Sequence, residues 1–243
     1  MSIGTIHGVG LGPGAADLMS VRADRLVRAA RHVAYFRKAG RRGHARTIVD
    51  GMLRDDVVEF PMDYPVTTEI DFTDPRYNEC LSAFYATCTA HILSLVQGGE
   101  DVVVLCEGDP FFYGSFMYLF ARLAGRCRVE VVPGVSSLMA CATAMRGALA
   151  ARNDVLTVIP APLPEADLRR RLTEVEAAAI IKVGRHLAKV RAVLVELGLA
   201  DRTRYVEHAT LASQRVLALH EVAADSAPYF SMLLVHRRGD AWK

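Results

Sequence analysis

The stretch Asp101-Val-Val-Val-Leu-Cys106, continued by Glu107-Gly108-Asp109-Pro110-Phe111-Phe112-Tyr113-Gly114, decides the fold. Its first six residues are nearly all apolar and rich in β-branched side chains, the pattern of a parallel strand buried on both faces. Gly108 and Pro110 then stop the strand, and residues 115–123 carry a helical pattern. A polar turn at the carboxyl end of a buried strand is where open α/β sheets place their ligands. An ordinary strand-to-helix loop with an Asp-Pro turn fits the same residues.

On the N-terminal side of this stretch, strands are expected at residues 5–11, 32–36 and 57–61. Helices are expected at residues 20–31, with Ser20 as N-cap, and at 76–97, stopped by Gly98-Gly99. The basic run Arg37-Lys38-Ala-Gly40-Arg41-Arg42-Gly43-His44-Ala-Arg46 is expected to be a loop or lid, because Gly40 and Gly43 break any period. Residues 63–75 read as irregular. On the C-terminal side, a strand at 128–132 ends in Pro133-Gly134-Val135-Ser136-Ser137 and runs into an Ala-rich helix reaching about residue 146. This alternation predicts a parallel sheet with helices on both faces.

Residues 147–153 are small and polar and mark the expected boundary between a domain at 1–147 and a second at 148–243. In the second, strands are expected at 155–160, 178–183 and 204–207, with helices at 165–172 and 186–197. Residues 215–219 and 229–236 are near enough in sequence to pair antiparallel, so this sheet is expected to be mixed. The fold class is α/β, with two α/β domains.

Composition narrows the function. The 243 residues are 51% hydrophobic and 23% charged, which describes a globular chain and not a disordered one. A net charge of +2 gives no case for nucleic acid or a membrane surface as partner. The five cysteines are scattered without a Cys-x-x-Cys pair or clustered histidines, which argues against a structural zinc site and for a reducing compartment, and no metal is expected. With no basic, apolar leader and no apolar run near spanning length, a cytoplasmic protein is expected.

The turn Gly10-x-Gly12-x-x-Ala15 matches a permissive dinucleotide fingerprint, so a nicotinamide enzyme has to be weighed. Pro13 and Gly14 lengthen the turn, and a helix starting near Ser20 is too late to place its first amides under a pyrophosphate. Strand two ends Tyr35-Phe36-Arg37-Lys38, without the carboxylate that holds a ribose hydroxyl. An arginine there suits a 2′-phosphate, which leaves an NADPH-dependent reductase as an alternative and a nucleotide-sensing module as a more distant one.

Four punctuated strand ends now stand in order: Gly10-Leu-Gly-Pro13-Gly14, Glu107-Gly-Asp-Pro-Phe-Phe-Tyr-Gly114, Pro133-Gly-Val-Ser136-Ser137, and Val206-Glu-His-Ala209-Thr210 with Gln214 just beyond. Together they resemble the tetrapyrrole (class III) methyltransferases, which use S-adenosylmethionine, and the resemblance spans nearly the whole chain. Leu18-Met-Ser-Val-Arg-Ala, Val33-Ala-Tyr-Phe36, Tyr64-Pro-Val-Thr-Thr-Glu69 and the stretch from Glu107 to Tyr118 look most like the branch that methylates the C(20) meso carbon of precorrin-2. Gly14-Ala15-Ala16-Asp17 departs from the family pattern, which usually has Asp directly after Gly-Pro-Gly.

The resemblance implies S-adenosylmethionine in the cleft between the two domains, S-adenosylhomocysteine as by-product, a small tetrapyrrole as substrate, and a homodimer. It implies cofactor contacts from Pro13, from the backbone of Glu107, Gly108 and Asp109, and from Phe112, Ser136 and Ser137. The second domain is expected to add Val183, Ala209, Ser231 and Met232. Asp109 suits the cofactor's ammonium, and the serine amides at a helix N-terminus suit its carboxylate. The cobalt-factor II version of the reaction, or another ring position, is the nearer alternative; an NADPH-dependent precorrin reductase is the farther one.

Other residues have two readings each. Arg37, Arg41 and Arg42 form either a solvated basic loop or a lid over the macrocycle's carboxylate arms, which arginine grips bidentately. Lys182 either snorkels from a core strand or faces the cleft, and Tyr113 either packs in the core or faces substrate. Lys182 and Tyr113 are the candidate orienting or proton-accepting groups. Holding carbon and methyl in line is worth roughly 7–11 kcal/mol, against about 10²–10⁴-fold from a general base, so positioning is expected to dominate.

Overall fold

The computed structural model describes residues 3–65, 74–223 and 225–238. The segment Val66-Thr67-Thr68-Glu69, part of one family-like motif, lies outside the described residues. Contacts divide the chain into Met1–Ser136 and Ser137–Lys243. The Ala-rich helix therefore groups with the second unit, and the division precedes the small polar stretch at which the sequence suggested a boundary.

The first unit is a parallel sheet in the order β3-β2-β4-β1-β5. Its strands are β1 (Thr5–Gly10), β2 (His32–Lys38), β3 (Val58–Tyr64), β4 (Val102–Cys106) and β5 (Arg128–Val132). Every residue of β4 is buried, as its unbroken apolar run predicts. Val102, Val104 and Cys106 face one core, with α3 (Pro75–Gln97) and α4 (Phe116–Leu123). Val103 and Leu105 face the other, with α1 (Val21–Ala29) and α2 (His44–Ile48). Ser20 caps α1 by accepting the Ala23 amide at 3.1 Å.

The connections leaving β1 and β4 thus cross on opposite faces of the sheet. Where neighbouring strands do this, open α/β sheets place their ligands at the carboxyl ends. The loops after β1 and β4 occupy that place.

Among the described residues α3 alone combines 23 residues with a mean hydropathy of 1.2 over its best window. The sequence expectation of no apolar run near spanning length was thus too strict on length. Its inner side chains Tyr85, Cys88, Ile92, Leu93 and Val96 lie in the core of the first unit.

The second unit is a mixed sheet in the order β6-β7-β10-β8-β9. Its strands are β6 (Leu156–Pro160), β7 (Ala177–Ile181), β8 (Thr203–Glu207), β9 (Arg215–Ala218) and β10 (Ser231–His236). The last two strands do not pair with each other, contrary to expectation. β9 pairs with β8, and β10 inserts between β7 and β8. The reason is burial: all six residues of β10 are buried, so it takes a central place, whereas β9 is too exposed for one. Side chains of α6 (Glu165–Thr173) and α7 (Leu187–Glu196) complete the core, and α5 (Ser137–Met145) packs on β8 and β10.

Candidate functional site

In the first unit three loops meet at the carboxyl ends of the adjacent strands β4, β1 and β5. Leu11 donates its amide to the Cys106 carbonyl at 2.9 Å, which continues the β1–β4 pairing past the strand ends. Gly12 and Gly108 then bond reciprocally: the Gly108 amide donates to the Gly12 carbonyl at 2.8 Å, and the Gly12 amide donates back at 3.3 Å. Both glycines have positive φ, +82° and +61°, where a side chain is strained. The third loop closes on the same spot. A Cβ on Gly134 would lie 2.0 Å from the Gly108 carbonyl oxygen and 2.9 Å from Gly10.

Asp109 clasps these loops. One carboxylate oxygen accepts the Phe111 amide at 2.9 Å and the other accepts the Gly134 amide at 3.0 Å. The carboxylate expected to hold an ammonium is thus already the tie between two loops, and only its remaining lone pairs are open to a ligand. Pro13, Gly108, Asp109, Phe112 and Ser136 are all half-buried on these three loops. Phe112 stands edge-on to Tyr113, centroids 5.1 Å apart. Tyr113 is 47% exposed and has a left-handed backbone, φ +56°, so it is not the core residue that one reading made it.

Glu107 is the group the sequence reading undervalued, since only its backbone was expected to matter. Its carboxyl accepts the Ala45 amide at 3.2 Å, linking the end of β4 to the start of α2. The residue keeps a solvent-facing side, but protein crowds the carboxyl, and burial pushes it up to about 7. Nothing in the sequence around Glu107 signals this, because the crowding comes from elements distant in the chain.

The basic run is structured and largely neutralised. Arg37 and Lys38 belong to β2, and residues 44–48 form α2, so the expected loop shrinks to the few residues between. Arg37 pairs with Asp63, its cross-strand partner on β3, at 2.6 Å. Arg42 binds Asp50 at 2.6 Å, and Arg46 grips Glu59 through two bonds of 2.8 and 2.9 Å. Asp50 and Glu59 are held below the usual carboxylate range by these guanidiniums. Arg41 is exposed and makes no side-chain ion pair among the described residues.

In the second unit the expected residues gather at one end of the sheet. Lys182 and Val183 follow β7, Ala209 follows β8, and Ser231 and Met232 open the antiparallel β10. Lys182 is exposed and lies past the strand, with φ +57°. His208 and Thr210, flanking Ala209, are also left-handed, at +50° and +72°. Three strained residues at the ends of two strands mark a shaped surface, and such strain concentrates at ligand sites. Glu207 anchors that end: buried, it accepts the Tyr205 hydroxyl and pairs with Arg215 at 3.0 Å. Val183 and Met232 have buried side chains, and Ser231 donates its hydroxyl to the Pro228 carbonyl at 2.7 Å. Ser137 is the first residue of α5.

The second unit also has a cleft of about 260 Å³ at the other end of its sheet, bordered by Arg146, Ala178, Arg202, Arg204 and His236. None of the residues expected at the site borders it.

The glycine turn does not build a dinucleotide site of the usual design. Residues 16–18 form a short 3₁₀ turn and α1 begins only at Val21, so no long helix points its first amides at the turn.

Comparison with known proteins identifies the family. The sequence model of the family described as Tetrapyrrole (Corrin/Porphyrin) Methylases matches residues 5–223. A precorrin-2 C(20)-methyltransferase from Sinorhizobium sp is 45% identical over 97% of this chain and 96% of its own. A cobalt-precorrin-2 C(20)-methyltransferase from Salmonella typhimurium is 29% identical over 97% of both. Among solved structures, the cobalt precorrin-4 methyltransferase CbiF superposes with a TM-score of 0.72 at 20% identity, over 97% of this chain and 96% of that one. A uroporphyrin-III C-methyltransferase from Thermus thermophilus, complexed with S-adenosylhomocysteine, gives 0.64 at 22% identity, over 96% and 98%. At such identities the structures speak for the fold alone. The family match covers almost the whole chain, and the chain belongs to the tetrapyrrole methylases.

Proposed function

We propose that this protein transfers a methyl group from S-adenosylmethionine to the C(20) meso carbon of precorrin-2, giving precorrin-3A in corrin-ring synthesis. The observation that carries this reading is the 45% identity, end to end, with a precorrin-2 C(20)-methyltransferase. Gly108 suits the cofactor, because nothing lies within 4 Å of where its Cβ would stand and a ligand can approach its bare backbone, while Gly10 and Gly134 let the neighbouring loops close behind it. Pro13, the 107–109 backbone, Phe112, Ser136 and Ser137 are its proposed contacts, with Val183, Ala209, Ser231 and Met232 to be tested in the second unit.

The sulfonium of the cofactor supplies an electrophilic methyl group. The chain's task is to hold the electron-rich carbon in line with that methyl and to keep water away. Charge is dispersed in such a transfer, so the gain comes from orientation, roughly 7–11 kcal/mol at most. Of the three arginines Arg41 is the one with no side-chain ion pair among the described residues to give up on meeting a carboxylate arm; Arg37 and Arg42 would have to share their guanidiniums with Asp63 and Asp50. The cobalt-loaded substrate is the second reading, favoured by the 29% identity with the Salmonella enzyme.

Five unpaired cysteines suit a reducing cytoplasm, and we propose a homodimer there. Calorimetric titration tests the cofactor assignment. S-adenosylhomocysteine should bind and NADPH should not, whereas tight binding of NADPH alone would replace the methyltransferase by a reductase.

A further inference from the structure

Glu107 stands where the end of the central strand β4 meets the glycine junction, directly before Gly108. It lies beside a segment rich in arginine and yet has no ion pair among the described residues. Arg37, Arg42 and Arg46 are taken by Asp63, Asp50 and Glu59. Among the described residues its carboxylate accepts one hydrogen bond, from the Ala45 amide to Oε1 at 3.2 Å. A carboxylate whose fold needed a salt bridge would be expected to use one of those arginines. This one is kept basic enough to take a proton and is committed to little else.

We propose that the carboxylate of Glu107 accepts the proton that the macrocycle loses after methyl transfer. This rests on the methyltransferase reading above and deepens it. The meso carbon forms its new bond to the methyl group as the sulfur–methyl bond breaks and its electron pair stays on sulfur. The carbon then carries both hydrogen and methyl. Its C–H bond breaks, the electron pair returns to the ring, and the proton joins Glu107, to be passed to water when product leaves.

The surroundings suit the task. Burial raises the group to about 7, so near neutral pH it can both take and release a proton. The neighbouring β2 and α2 carry His32, Tyr35, Arg37, Lys38, His44 and Arg46, of which Arg37 and Arg46 are held by Asp63 and Glu59. His44 precedes Ala45 on α2, Tyr35 on β2 hydrogen-bonds Glu59, and Asp109 in the same loop holds the Phe111 and Gly134 amides. Glu107 can therefore cycle between its two forms without breaking an ion pair.

The test is Glu107→Gln in the full-length protein, since glutamine still accepts the Ala45 amide and removes only the basicity. In a single turnover, loss of the C(20) proton from the methylated macrocycle, read as formation of the final product, should slow by about 10²-fold, with S-adenosylhomocysteine affinity unchanged. The limb of the wild-type pH–rate profile near 7 should vanish. Precorrin-2 deuterated at C(20) should show a larger isotope effect with the variant than with the wild type. A variant with wild-type rate, pH limb and isotope effect overturns the inference while leaving the enzyme a methyltransferase. A wild type that makes no S-adenosylhomocysteine from precorrin-2 overturns the functional reading instead.

Discussion

Gly134 and Gly108 are packed so closely that a Cβ on Gly134 would fall 2.0 Å from the Gly108 carbonyl oxygen. Two loops separated by a helix and a strand are held backbone to backbone, with Gly10 as the third wall. Gly134→Ala should therefore push the 133–136 loop outward, costing about 1–3 kcal/mol as overpacking does, and should weaken S-adenosylhomocysteine binding. Gly125→Ala is the control, because a Cβ there meets nothing within 4 Å although φ is +82°. Titration of both variants would contradict the account if Gly134→Ala bound as well as Gly125→Ala.

The clasp made by Asp109 gives a second prediction. Asparagine at 109 can accept one amide but presents its own N–H₂ to the other, leaving a donor without an acceptor at a cost of about 1–3 kcal/mol. Asp109→Asn should lower both the melting temperature and the affinity for S-adenosylhomocysteine. Loss of affinity with an unchanged melting temperature would assign Asp109 to the ligand alone and not to the loop.

Much of this was legible in the sequence, and the misses are instructive. Buried parallel strands write unbroken apolar runs, so β4 and its polar turn could be read directly. The place of β10 could not, because the choice between pairing with β9 and inserting between β7 and β8 depends on which strand buries both faces. The loops of the candidate site could be picked out by their Gly and Pro punctuation. The state of the arginines could not, since Arg37 meets Asp63 only through the β2–β3 register and Arg46 meets Glu59 only by tertiary approach. Glu107 was hidden for the same reason.

Tyr113 and Lys182 share a left-handed backbone, at φ +56° and +57°, and both are exposed. If they orient the substrate without taking its proton, Tyr113→Phe and Lys182→Ala should each slow single turnover by less than about 10²-fold with both substrates saturating, below the usual reach of a general base. A loss of many thousandfold with unchanged binding would make one of them indispensable to the chemistry.

Stability should depend on pH through Glu107. Its carboxyl titrates near 4.5 in an unfolded chain and at about 7 in the folded one. A raised value means that the folded state binds the proton more tightly, so the stability linked to this group is complete below about 4.5 and is lost as pH rises through 7. Glu107→Gln cannot ionise and should melt higher than the wild type at pH 8 but not at pH 4. Thermal unfolding at the two pH values checks this, and equal differences at both would contradict it.

The central claim is a methyl group delivered to one carbon of one macrocycle. Incubating the protein with precorrin-2 and S-adenosylmethionine carrying a ¹³C-labelled methyl, then recording the product's mass and carbon NMR spectrum, tests it most directly. The account predicts one added methyl group, bonded at C(20), with one equivalent of S-adenosylhomocysteine. A label on any other ring carbon, or unmethylated precorrin-2 recovered alongside intact cofactor, would contradict it.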